Sequence, residues 1–343
     1  MIINNVFEAV GNTPLWRIRC LSRVTGCHIL LKAEFYNPGG SIKDRAARSM
    51  ILDAEARGIL DPAQPEKYGI TDETGGNTGI ALALLCRQRG YKCVLTVNEG
   101  TEEHKLKLME RLGAKVVTCP ADVSFDDPEY YVNKPRSIAA ENPGFYFTQQ
   151  AENWANPMAH IVTTGPEIWK ELDGQIGGFV CSSGTGGTIA GMSTFLKSKN
   201  PGIRAFLVDP PGSGNREFFE HRNFKVLPGS THAAGAGSTY LTGNFAKACR
   251  DNLIDGSFPC SNAEMAQMNQ LLAEQEGLFL GPSSGMNLVG AVKLARLLGP
   301  GKTIVTVACD RGENYASTLC DPAEEKRKGI FFRNVSPLLE WVN

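Results

Sequence analysis

An α/β protein with mostly parallel sheets is predicted by three observations. Short β-branched runs alternate with longer amphipathic stretches. Three of the apolar runs lead directly into glycine-rich loops that open helices. The composition, 42% apolar and 21% charged over 343 residues, is that of an ordinary globular chain long enough for two domains.

Taken in order, Ile29-Leu30-Leu31-Lys32 reads as a strand. In Asn37-Pro38-Gly39-Gly40, Pro38 fixes φ and the two glycines permit positive φ, so the backbone bends sharply. Ser41 then reads as the N-cap of a helix through Lys43, Arg45 and Met50 that ends at Gly58. Cys93 to Val97 is a strand, Glu102 to Leu112 a helix closed by Gly113, and Lys115 to Thr118 another strand. Residues Pro120 to Pro143 are polar and read as a loop-rich excursion, after which Thr163-Thr164-Gly165-Pro166 opens a helix to Leu172.

The three junctions have one plan: strand, glycine-rich loop, helix. The first runs from Tyr68-Gly69-Ile70-Thr71 through Thr74-Gly75-Gly76-Asn77-Thr78-Gly79 into a helix from Ile80 to Gln88. In the second, Gly178 to Cys181 leads through Ser183-Gly184-Thr185-Gly186-Gly187-Thr188 into a helix to Lys197. The third passes from Leu278-Phe279-Leu280 through Gly281-Pro282-Ser283-Ser284-Gly285 to a helix ending at Leu298. Each aims free backbone N–H groups and the positive end of a helix dipole at one point, which suits an anion.

Several function classes are excluded. A net charge of -1 gives no electrostatic case for nucleic acid or an anionic membrane surface. No apolar run approaches transmembrane length, and Met1-Ile2-Ile3-Asn4-Asn5 lacks the basic start of a signal peptide. The ten cysteines form no CxxC pair and mostly sit in apolar stretches; they read as reduced, mostly buried thiols of a cytosolic protein, with no zinc site. The five histidines also lack ligand spacing. Without GxxxxGK[ST] a nucleoside triphosphate is not expected, and the glycines around Gly184 and Gly235 do not fit GxGxxG. Lys43 follows a tight turn at the mouth of a helix, where desolvation or a cationic neighbour would make it a nucleophile. A reactive lysine, one loop for a phosphate and one for a carboxylate together describe pyridoxal phosphate holding an amino acid.

The same residues carry a family resemblance. Asn12-Thr13-Pro14-Leu15, Gly39-Gly40-Ser41-Ile42-Lys43-Asp44-Arg45, Thr74 to Gly79, Gly184 to Thr188 and Gly281 to Gly285 resemble, in order and over nearly the whole chain, the cysteine synthase group of fold-type II pyridoxal-phosphate enzymes. Cystathionine β-synthase is related to that group. The resemblance implies two α/β domains with mostly parallel twisted sheets and the active site between them. Residues 40–148 would form the small domain, and 1–39 with 149–343 the large one. By the same resemblance Lys43 is the Schiff-base and catalytic lysine, Asn77 bonds the cofactor's 3′-oxygen, and Gly184, Thr185, Gly186, Gly187 and Thr188 hold its phosphate. Ser283 would bond the pyridine nitrogen, and Thr74, Gly75, Gly76, Thr78 and Gln150 would hold the substrate carboxylate.

The implied activity is β-replacement on an O-activated L-serine through an aminoacrylate intermediate, as in the conversion of O-acetylserine and sulfide to cysteine. A larger amine or thiol nucleophile, a serine or cysteine β-lyase, and a non-catalytic homologue that still binds the cofactor are the alternatives. The expected partners are a small amino-acid substrate and a nucleophile, with no nucleic acid and no membrane. A cytoplasmic homodimer is expected, with Gly329-Ile330-Phe331-Phe332 helping to bury the interface. This chain departs from the family pattern at Gly75, where a serine is usual, at Glu73, where an acid has entered, and at Ala151, where an aromatic is usual. The substitutions around Asn98 and Glu102 imply a different start to the following helix. Together these departures predict a roomier, more acidic substrate loop.

Overall fold

Parallel strands bury both faces, so they read as continuous apolar runs, and that is how this chain builds its sheets. The computed structural model describes residues 2–124 and 126–316. The chain divides into one compact unit of Met1–Gly11 and Asn37–Ala159 and a second of Asn12–Tyr36 and His160–Asn343.

In the first unit, β3 (Gly69–Glu73), β4 (Lys92–Asn98), β5 (Lys115–Cys119) and β6 (Phe145–Phe147) form a wholly parallel sheet in the order β5-β4-β3-β6. All five residues of β3 are buried. Its core gathers Ile51, Ala54, Ile70, Leu82, Leu85, Leu95 and Met109. Phe7 and Val10 join that core, which is why the first residues of the chain belong to this unit. The helix Ala155–Ala159 belongs here too, with Ala155 packed on Ala46 and Met50 of the helix Lys43–Ala56.

The second unit holds β1 (Leu15–Arg17), β2 (His28–Ala33), β7 (Gly178–Cys181), β8 (Arg204–Asp209), β9 (Gly256–Pro259) and β10 (Thr303–Ala308), in the order β1-β2-β10-β7-β8-β9. Among the described strands of this sheet, only the β1–β2 pair is antiparallel. The helix Pro282–Leu298 packs on this sheet with 13 of its residues buried, too many for one amphipathic stripe. At the end of β2, Lys32 is wholly buried. Its ammonium lies 2.6 Å from the Thr13 carbonyl oxygen, 2.9 Å from Glu171 Oε1 and 3.1 Å from Glu167 Oε2.

Two sequence expectations are corrected. Leu278-Phe279-Leu280 is not a strand, since Leu280 makes only an isolated bridge to Arg311, so the third junction enters its helix from a loop. The excursion from Pro120 to Pro143 contains a helix, Lys134–Glu141, which starts with a proline in its first turn where no N–H is needed. Residues Gly329 to Phe332 lie outside the described residues.

Candidate active site

The turn before Lys43 is held by four hydrogen bonds. Gly40 has φ +81° and donates its N–H to the Asn37 carbonyl at 2.8 Å, while Asn37 Oδ1 accepts the Gly11 N–H at 2.9 Å. Gly39 does not adopt positive φ; it is small because Asp44 needs the space. A Cβ on Gly39 would lie 2.5 Å from Asp44 Oδ1, and the Gly39 N–H donates to the same carboxylate. Ser41 does not cap in the expected way, because the helix begins at Lys43 after Ile42 and the Ser41 hydroxyl instead accepts the Lys43 N–H at 3.2 Å. The result is a half-buried Lys43 at the first position of a 14-residue helix.

The first glycine loop lies in the same unit. Thr74 Oγ1 accepts the N–H groups of Gly76 and Gly79, each at 3.2 Å, and so shapes the entry to the helix Asn77–Arg89. Asn77 is half-buried at the first helical position. Thr78 donates its hydroxyl to Gln150 Oε1 at 2.8 Å, and Gln150 Nε2 donates to the Glu73 carbonyl at 2.9 Å. The Gln150 carbonyl accepts from Asn156 Nδ2 at 2.8 Å, a contact that nothing in the sequence spacing announces. Thr74, Thr78 and Gln150, expected together from the sequence, are therefore brought together.

Two departures from the family pattern have physical consequences other than those expected. A Cβ on Gly75 would lie 2.7 Å from Thr101 Oγ1 and 2.8 Å from its Cγ2, so the missing side chain leaves no added room on that side. Glu73 is buried, and burial, reinforced by the Asp72 carboxylate, holds its carboxyl well above the usual range. Asp72 is pushed up to about 6 by its own burial. Burial beside Asp72 thus disfavours the charged form of Glu73, against the negative charge its residue type suggests.

Acids whose folded-state pKa is raised bind more protons folded than unfolded above about pH 4, so their contribution to stability falls as pH rises through about 6 and beyond. Glu73→Gln removes one of these groups. It is expected to raise the thermal midpoint by several degrees at pH 8 and to lose that advantage towards pH 4–5. Thermal melts of both proteins across that range check this, and parallel curves would refute it.

In the second unit, the loop from Ser183 to Thr188 is closely packed on the backbone behind it. A Cβ on Gly184 would lie 2.3 Å from the Gly235 carbonyl oxygen, and one on Gly186, at φ +83°, would lie 2.4 Å from Phe245 N. Neither position tolerates a side chain. The helix Gly187–Lys199 begins within the loop, so its first-turn N–H groups have no intrahelical acceptor. Ser183 Oγ is buried and has no hydrogen-bond partner among the described residues. Thr188 Oγ1 lies 3.3 Å from His160 Nε2, and His160 Nδ1 lies 2.9 Å from Thr164 Oγ1, so a buried imidazole orients one wall of the loop. Such a cradle of amides and hydroxyls fits a phosphate monoester.

Ser283 is buried in the first turn of the helix Pro282–Leu298. Its neighbour Ser284 accepts the Cys309 N–H at 3.0 Å, which ties this helix start to the end of β10. Asn287, one turn on, was not anticipated from the sequence. Its Oδ1 accepts the Ser182 N–H at 2.7 Å and its Nδ2 donates to the Val307 carbonyl at 2.9 Å, so one buried amide joins the phosphate-type loop to the Ser283 helix and to β10. An Asn within an otherwise apolar helical run was the available signal.

Comparison with known proteins bears on what these elements hold. Residues 6–310 match the family model described as pyridoxal-phosphate dependent enzyme. The chain is 42% identical to cysteine synthase 1 of Emericella nidulans over 98% of this chain and 89% of that one. It is 43% identical to cysteine synthase 1 of Neurospora crassa over 93% of this chain and 83% of that one. The crystal structure of the O-acetylserine dependent cystathionine beta-synthase from Helicobacter pylori superposes with a TM-score of 0.81 at 33% identity, covering 92% of this chain and 98% of that one.

Proposed function

This chain belongs to the pyridoxal-phosphate dependent enzymes, and on that premise we propose that it performs β-replacement on an O-activated L-serine, as a cysteine synthase does with O-acetylserine and sulfide. The observation that carries the reading is sequence identity above 40% to cysteine synthases, sustained over nearly the full length.

The residues present fit the cofactor. A cradle at Gly184 and Gly186 that a Cβ would fill, and the orphaned Ser183 hydroxyl beside it, suit its phosphate. We assign the phosphate to the amides and hydroxyls of Gly184, Thr185, Gly186, Gly187 and Thr188, the pyridine nitrogen to the Ser283 hydroxyl, and the ring oxygen to the Asn77 amide. Lys43 Nζ is the covalent anchor. Bound pyridoxal phosphate supplies an electron sink for loss of an amino acid's α-proton and β-substituent. Lys43 Nζ would anchor the group and would serve as the base that receives that α-proton. Thr74, Gln150 and the amides of Gly75, Gly76 and Thr78 orient the substrate through its carboxylate, while the Thr78 hydroxyl holds Gln150 in place. A neutral hydroxyl at Ser283, unlike a carboxylate, would not hold an added proton on the ring nitrogen, which would favour elimination and replacement over transamination.

Incubating the purified holoenzyme with O-acetylserine and sulfide is expected to yield cysteine, with pyruvate a minor product. Pyruvate as the main product, whether or not a nucleophile is added, would make the protein a β-lyase instead. The resemblance to an O-acetylserine dependent cystathionine beta-synthase favours a second reading, in which a thiol-bearing amino acid replaces sulfide. Competition between the two nucleophiles separates them. A homodimer belongs to the same proposal, and light scattering tests it. So does residence in the cytoplasm, a reading supported by the nine described cysteines, all of them outside disulfides. Among the described residues no helix is long and apolar enough to cross a membrane.

A further inference from the structure

We propose that Thr101 stands in for a hydroxyl side chain at position 75, making the two residues a matched pair in which Thr101 selects for the α-carboxylate of an amino-acid substrate. The carboxylate ligand rests on the β-replacement reading above; the pairing of the two positions does not.

The pairing follows from shared volume. A side chain at 75 would begin 2.7 Å from Thr101 Oγ1, 2.8 Å from its Cγ2 and 3.4 Å from its Cβ. Threonine at 101 as placed here and serine at 75 therefore exclude one another unless the Thr101 side chain or the loop shifts. By contrast, a Cβ on Gly76 would meet nothing within 4 Å, so the overlap is particular to Gly75 and is not general crowding of the loop. Thr101 is also firmly placed. Its N–H donates to the Asn98 carbonyl at 3.1 Å, its hydroxyl donates to the same oxygen at 2.7 Å, and Gly100 turns the chain at φ +85° just before the helix Glu103–Arg111. The next hydrogen bond back, from the Glu99 N–H to the Cys119 carbonyl at 3.1 Å, fixes the turn to β5.

The donor role follows from counting hydroxyl protons. The Thr78 proton is committed to Gln150 Oε1, inside a buried network that also fixes Gln150 to the Glu73 carbonyl. The Thr101 proton is committed to an oxygen that already has a second donor, the Thr101 N–H. Turning that proton towards a carboxylate leaves the Asn98 carbonyl bonded, whereas turning the Thr78 proton away leaves Gln150 Oε1 without it. A charge-assisted bond to a carboxylate is stronger than the neutral one it replaces. Beside Thr74, whose Oγ1 accepts the Gly76 and Gly79 N–H groups and whose own proton is therefore open to a ligand, Thr101 is thus a second hydroxyl that can turn to a carboxylate at small cost, next to the position where the loop lacks one.

The test uses holoenzyme variants and two readouts. For the pairing, thermal midpoints are measured for Gly75→Ser, Thr101→Gly and the double variant. Gly75→Ser alone is expected to lower the midpoint, and the double variant to lie above the sum of the single effects. Additive shifts would overturn the pairing. For the donor role, binding of L-alanine and of L-alaninamide, which lacks the carboxylate, is titrated by the cofactor's absorbance. Thr101→Val, which keeps the shape, is expected to weaken L-alanine roughly tenfold or more with little change for the amide, while Thr101→Ser retains the native preference. With O-acetylserine the same loss is expected mainly in KM. If native protein prefers L-alanine and Thr101→Val does so equally, the donor role is wrong. If native protein binds neither amino compound, the β-replacement reading fails and takes the donor role with it, while the midpoints still decide the pairing.

Discussion

Lys43→Ala is expected to abolish turnover while leaving the fold in place. Loss of a positioned base alone costs roughly 10²–10⁴ in rate, and here the covalent anchor of the cofactor disappears with it. The side chain is half-buried at the first position of its helix, and the turn before it is held by Asn37, Ser41 and Asp44 and does not depend on the lysine head. The variant should therefore melt near the native midpoint. Borohydride reduction of the native holoenzyme followed by peptide mapping should mark Lys43, and the variant should carry no mark. A mark on any other lysine would remove the assignment. Lys32 is the instructive comparison: it is more deeply buried, but its ammonium is engaged by the Thr13 carbonyl and the carboxylates of Glu167 and Glu171, a structural arrangement.

Gly186→Asp is the second large effect. The new Cβ would lie 2.4 Å from Phe245 N in a backbone at φ +83°, and the carboxylate would repel the phosphate. Left-handed backbone costs a residue with a Cβ about 1–2 kcal/mol, and forced overlap about 1–3 kcal/mol more. Loss of charge-assisted bonds should weaken phosphate binding by a further ~1.5–3 kcal/mol. The purified protein is expected to be largely colourless and less stable. Gly186→Ala separates the two causes, since it keeps the steric cost and omits the charge. A folded Gly186→Asp protein with full cofactor would place the phosphate elsewhere.

Local features of this chain were legible because they are written in adjacent residues. The turn at Asn37 to Gly40, the strand Ile29 to Lys32 and the glycine loops at 75–79 and 184–188 all announce themselves through residue type and spacing. What escaped depends on partners far apart in sequence. Thr101 fills the space beside Gly75 from 26 positions on, and Asn287 reaches the N–H of Ser182 across 105. Leu278 to Leu280 looked like a strand because it is apolar, yet it finds no ladder beyond one bridge. Glu73 looked like a charge, and only its burial beside Asp72 shows why it favours its proton.

The place of β10 bears on how the chain is made. In the six-stranded sheet it alone joins the β1–β2 pair to β7, β8 and β9, yet among the described residues it is the last strand to be synthesised. Val305 pairs with Leu30 and with Phe179, so the sheet's centre closes over 275 and 126 residues at once. The smaller unit, in contrast, has its whole sheet available once residue 147 has left the ribosome. At about 5–20 residues per second, β2 waits on the order of ten seconds or more for its neighbour with one edge unpaired. During that interval the nascent chain presents the apolar run Ile29-Leu30-Leu31 as an open edge, the point at which a holding chaperone would matter most and at which premature termination before Thr303 would be most damaging.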